Sequence, residues 1–107
     1  MNIVQRINDM ITPEYCHRQL AEECAELAQA ALKMVRVIKH ETPNAPEDAL
    51  DAFIEEMADV EVMQTIAMHK ILTPADRALL CVRINEKTQR FYDRLSKGGK
   101  ADAQMDG

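Results

Sequence analysis

Residues 1–97 contain no glycine, and the four prolines fall only at 13, 43, 46 and 74. A chain so poor in residues that accept left-handed backbone cannot make tight hairpins of the Asn-Gly kind. It also cannot make the glycine-rich loops that cradle phosphates in P-loop and dinucleotide-binding folds. The punctuation that remains predicts helices. Thr12-Pro13-Glu14 and Thr73-Pro74-Ala75-Asp76 each set a capping threonine before a proline, with an acid in the first turn. The Thr42-Pro43-Asn44-Ala45-Pro46 run breaks any helix arriving from residue 14, and Glu47-Asp48 supply negative charge at the next helix start. The expected architecture is all-α, an antiparallel bundle with a short helix over Ile3–Met10 and three long ones over about 14–40, 47–71 and 74–96. Beyond them, Lys97 to Gly107 is expected to fray, giving one domain over 1–97 and a flexible tail over 98–107.

Composition excludes several classes. With 47% hydrophobic and 29% charged residues in 107, the chain has the balance of one globular domain rather than of a disordered segment. No apolar run approaches the roughly 20 residues of a membrane span, and no basic-then-apolar leader opens the chain. Cys16, Cys24 and Cys81 show neither a C-x-x-C pair nor a scaffold density, so they read as reduced core thiols and the compartment as cytoplasmic. The net charge of −5 is unevenly divided: residues 1–73 hold 6 Lys/Arg against 13 Asp/Glu, and residues 74–107 hold 7 against 5. An acidic body disfavours polymeric nucleic acid, while a small phosphorylated ligand stays possible if metal ions mediate.

Apolar periodicity divides the chain in the same way. Leu20, Cys24, Leu27, Ala31, Met34 and Ile38 follow at steps of three and four, as do Leu80, Ile84, Thr88, Phe91 and Leu95. The middle helix carries two stripes, one of Phe53, Met57, Val60, Ala67 and Ile71 and another of Ile54, Ala58, Val62 and Ile66. A helix apolar on two sides is sandwiched, and three helices of one small chain do not cover both, which predicts a homo-oligomer sharing this helix.

Two acidic clusters resist a bland surface reading. Glu23 and Glu26 stand at i and i+3 on the first long helix, and Glu56 and Asp59 repeat the spacing on the second. Glu23 lies only about 40° from Leu27, and Glu56 and Asp59 flank the direction of Met63, so these acids border the apolar stripes. Glutamate is also a good helix former, and acidic pairs occur on solvated faces, so a plain surface is the competing explanation. Four carboxylates facing one another across a helix pair repel and need a cation. Oxygen-only ligation selects Mg²⁺ or Mn²⁺. His17, His40 and His69 are isolated and read as surface or loop-end residues, which argues against zinc.

Glu22-Glu23-x-x-Glu26 followed by Glu56-x-x-Asp59 resembles the EExxE…ExxD signature of the MazG-like all-α nucleoside triphosphate pyrophosphohydrolases. The words QLAEECAELAQAALKM and FIEEMADVEVMQTI are similar to that family's first two core helices, over about residues 14–95. The resemblance implies Mg²⁺-dependent cleavage, with Mn²⁺ an alternative, of a ribo- or deoxyribonucleoside triphosphate to monophosphate and pyrophosphate by a homodimer or homotetramer. It implies Glu23, Glu26, Glu56 and Asp59 as metal ligands and Glu22 as the residue that orients or deprotonates the attacking water. The third long helix sets Arg83, Lys87, Arg90, Arg94 and Lys97 in a single stripe. Arg83, Lys87 and Arg90, with Asn85, are candidate phosphate or base contacts; Arg94 and Lys97 read as a solvated helix end. Two other functions remain open: a phosphoribosyl-ATP pyrophosphohydrolase using the same acids, and a non-enzymatic helical interaction module.

Overall fold

A computed structural model describes residues 2–98, and these are helical without any strand. The helices are α1 (Ile3–Met10), α2 (Pro13–Ile38), α3 (Pro46–Lys70) and α4 (Pro74–Ser96). The all-α expectation holds, with element bounds within about two residues of those the sequence predicts. The tail expected from residue 98 lies, apart from Gly98, outside the described residues. No helix among the described residues is long and apolar enough to cross a membrane.

The starts and stops have local causes. The Thr12 hydroxyl accepts a hydrogen bond from the Tyr15 amide at 3.1 Å, and the Thr73 hydroxyl accepts one from the Asp76 amide at 3.1 Å. The Asp76 carboxylate accepts the Thr73 amide in return, which closes a capping box. Asn2 and Gln5 cap α1 in the same reciprocal way. Helix α3 has no side-chain cap: Ala45 occupies the position, and Pro46, Glu47 and Asp48 fill its first turn. At the end of α2, the Glu41 amide donates to the Arg36 carbonyl and the His40 amide to the Val37 carbonyl, while His40 turns left-handed at φ 56°. This six-to-one and five-to-two pairing is a Schellman stop that satisfies the last carbonyls before the Pro43–Pro46 loop.

The described residues form two compact units, 2–72 and 73–98. In the first, α2 and α3 pack along their lengths as an antiparallel hairpin, with Lys70 at the end of α3 acting electrostatically on Cys16 near the start of α2. The residues turned inward step alternately by four and three: Cys16, Leu20, Glu23, Leu27, Ala30, Met34 and Val37 on α2, and Ala49, Phe53, Glu56, Val60, Met63, Ala67 and Lys70 on α3. That 3.5-residue period is the seam of a coiled-coil-like pair. It is rotated from the stripe read in the sequence: Cys24 and Ile38 lie outside it, Ile38 being 60% exposed, and Met57 is 50% exposed. The reason is chemical. A reading that admits only apolar letters skips the seam positions held by glutamate and picks up the neighbouring face instead.

The second stripe of α3 receives α1, whose Ile3, Val4 and Ile7 face Ala58, Val62 and Ile66 across an apolar cleft of about 440 Å³. The Lys70 ammonium donates to the Asn8 carbonyl at 2.8 Å and ties the two helices together. Ile66 is buried beneath α1, but Ile54 farther along the same stripe is 55% exposed. Of the three free cysteines, only Cys16 is a core residue; Cys24 and Cys81 are exposed, which corrects the expectation that all three are core thiols. Burial pushes the Cys16 thiol above its ordinary pKa despite the opposing Lys70 charge, so it stays protonated. The second unit is built on α4, which buries no side chain; Ile84 and Phe91, expected to face a core, are exposed. A single helix has no second surface of its own to bury a stripe against.

Candidate metal centre

The seam brings four carboxylates into one place. Glu23 and Glu26 from α2 and Glu56 and Asp59 from α3 each offer an oxygen, and these four oxygens all lie within 4.8 Å of one another. Glu23 and Glu56 occupy seam positions and are half-buried, while Glu26 and Asp59, one turn on, are exposed at the lip. The cause is the helical repeat: an acid at a seam position and another three residues later project to the same side, and the antiparallel hairpin sets the two pairs opposite each other.

Both seam glutamates are underpartnered. Gln19, one turn before Glu23, donates its amide to Glu23 Oε1 at 2.9 Å, but Glu23 Oε2 and Glu56 Oε2 are shut off from solvent with no hydrogen-bond partner. Among the described residues no lysine or arginine forms an ion pair with any of the four acids. The Glu56 carboxyl is held above the ordinary glutamate range, first by loss of hydration and then by the Glu26 carboxylate, with which it also shares a hydrogen bond. Asp59 and Glu23 push in the same direction. Buried carboxylate oxygens without partners are costly, and the compensation this site lacks is positive charge.

A hard divalent cation fits the donor set. Around an octahedral Mg²⁺ with bonds of about 2.1 Å, neighbouring oxygens stand about 3.0 Å apart and opposite ones about 4.2 Å, so four oxygens held within 4.8 Å of one another ligate it by drawing inward. No histidine or cysteine joins the four oxygens, which leaves nothing to favour zinc.

Glu22 is exposed on α2 and contributes no oxygen to the converging set. Arg83, Asn85, Lys87 and Arg90 are exposed on α4 in the second unit. There Lys87, Arg90, Phe91 and Arg94 line a shallow concavity of about 270 Å³, and the Arg94 guanidinium lies 5.0 Å from the centre of the Phe91 ring. The geometry adds residues that the motif reading passed over. Beside the four acids an open cleft of about 550 Å³ is lined by Glu26, Gln29, Lys33 and Arg36 of α2 and by Ala52 and Glu56 of α3. Gln19, Lys33 and Arg36 were accessible to sequence reasoning: Gln19 is four residues before Glu23, and Lys33 and Arg36 follow Glu26 at seven and ten, on the same helical face.

No family model, curated protein or solved structure matches the chain. The likeness to MazG-like enzymes therefore rests on the acidic motif and the helix words around it.

Proposed function

We propose that this protein is a divalent-metal-dependent pyrophosphohydrolase of the MazG-like kind, cleaving a nucleoside triphosphate to monophosphate and pyrophosphate in the cytoplasm. The observation that carries the reading is the convergence of Glu23, Glu26, Glu56 and Asp59, with two solvent-excluded oxygens left without partners. A surface explanation accounts for the letters but not for glutamates at two seam positions of one hairpin, where apolar side chains would pack better.

These four acids would hold the ions, and Gln19 anchors one oxygen of the Glu23 carboxylate while the other, shut off from solvent, has no partner. A bound Mg²⁺ or Mn²⁺ would supply charge neutralisation at the phosphate oxygens and a more acidic water. Glu22, exposed beside Glu23, is the proposed general base. It takes a proton from the attacking water as that oxygen bonds to the α-phosphorus, and the bridge to the β-phosphate breaks to release pyrophosphate. The basic stripe of α4, with Arg83, Asn85, Lys87 and Arg90, is proposed as an anion-contacting surface of its own unit. The working form is proposed to be a homodimer or homotetramer, favoured by the exposed apolar residues Ile54, Met57 and Val62 on α3.

The test is pyrophosphate release from a panel of ribo- and deoxyribonucleoside triphosphates with Mg²⁺ or Mn²⁺, in wild type and Glu56→Gln. Metal-dependent release that Glu56→Gln abolishes, with helicity retained, is the expected result. A chain that cleaves neither any triphosphate nor phosphoribosyl-ATP is not this enzyme, and the interaction module becomes the better account.

A further inference from the structure

The four acids solve only part of the charge problem that a triphosphate poses. Divalent ions bound there would first match the four negative charges of the acids, and a triphosphate would bring about four more that nothing in the carboxylate cluster offsets. The cleft beside the cluster holds the missing charge. Lys33 and Arg36 line it on the same helix as Glu26, with the Lys33 backbone about 10 Å along the axis from that of Glu26.

These cations have no acid to pair with on their own helix. The residues three and four away from Lys33 are Gln29, Ala30, Arg36 and Val37; those around Arg36 are Leu32, Lys33, Lys39 and His40. The two side chains are therefore like-charged neighbours at i and i+3, an arrangement that costs stability unless an anion lies between them. No ion pair reaches either one among the described residues. Complementing the end of the α2 dipole explains Arg36, which sits in the last turn. It does not explain Lys33, which is farther from that end and half-buried in the cleft wall.

We propose that Lys33 and Arg36 form the phosphate subsite of this cleft and bind the oxygens of a nucleoside triphosphate that the metal ions at the acidic cluster leave uncompensated. The subsite rests on the pyrophosphohydrolase reading, because the acids beside it set the reacting end of the ligand. Lys33 supplies a mobile point charge from the cleft wall. Arg36 supplies a planar fork suited to two phosphate oxygens at once.

The experiment compares wild type, Lys33→Gln/Arg36→Gln and the charge-conserving Lys33→Arg/Arg36→Lys in three measurements. These are Mn²⁺ binding, calorimetric binding of a non-hydrolysable α,β-methylene triphosphate in the presence of Mn²⁺, and steady-state hydrolysis. Charge removal is expected to leave Mn²⁺ affinity equal or tighter, since two repelling cations are gone. It should weaken the analogue and raise KM by about tenfold or more, with kcat within a few-fold. The charge-conserving variant should keep most of the affinity. A doubly neutralised variant that hydrolyses with unchanged KM and analogue affinity overturns the subsite while leaving the enzyme reading intact. A wild type that binds the analogue through these two residues but hydrolyses no triphosphate sustains the subsite and overturns the enzyme reading. A wild type that does neither overturns both.

Discussion

Glu56 holds a position on α3 that an apolar residue would fill with less strain, and its behaviour with pH follows. Its proton is bound more tightly in the folded chain than in the unfolded one, because hydration is lost and Glu26, Asp59 and Glu23 crowd it. Such a carboxyl adds stability that is fully present below its unfolded pKa and disappears as pH rises through the higher folded value. The metal-free protein is therefore expected to lose stability on going from mildly acidic to neutral pH. Glu56→Gln should be the more stable form at neutral pH and should flatten the dependence over that window. Denaturant unfolding with chelator present across that range checks it, and a wild type whose stability rises through the window contradicts the assigned cause. That acids stood near the seam was legible from their spacing. That Glu23 and Glu56 stood in it was not, because periodicity read from apolar letters treats a glutamate as a boundary.

At the scale of single elements, the ends of the helices were the most readable features, since caps act within four residues. Thr12, Thr73 and Pro46 each sit where local chemistry placed them. Two ends are suboptimal and predict gains. Ala45 caps α3 in extended backbone with no side-chain hydrogen bond, so Ala45→Ser should stabilise the first unit by about 1 kcal/mol. His40 carries a left-handed φ of 56° at the α2 stop, and His40→Gly should add about 1 kcal/mol by relieving that conformation. Both are measured as shifts in denaturant midpoint at unchanged slope, and a loss in either variant would mean that the loop is held by contacts beyond its backbone. The α4 stripe shows the opposite limit: its letters recur at core spacing, yet Ile84 and Phe91 are exposed. Spacing reports which residues share a face and is silent on what covers it.

For the whole molecule, the exposed residues Ile54, Met57 and Val62 on α3 are the quantity that one chain leaves unresolved. These residues are what the proposed homodimer or homotetramer would cover. Light scattering is expected to give a mass of two or four chains, and Ile54→Asp should shift the equilibrium toward monomer by at least tenfold in dissociation constant, with helicity unchanged. A wild type already monomeric at tens of micromolar removes the oligomer from the proposed function. By itself the sequence determined the helical class, the bounds of four helices and the pairing of acids at three-residue spacing, because these depend on interactions within one or two turns. Only the tertiary structure decided that Glu23 and Glu56 lie in the seam and that Lys33 and Arg36 share a cleft with Glu26 and Glu56. Those facts depend on the rotation of each helix about its axis, which is set by the packing of α2 against α3 and is written in no single stretch of the chain.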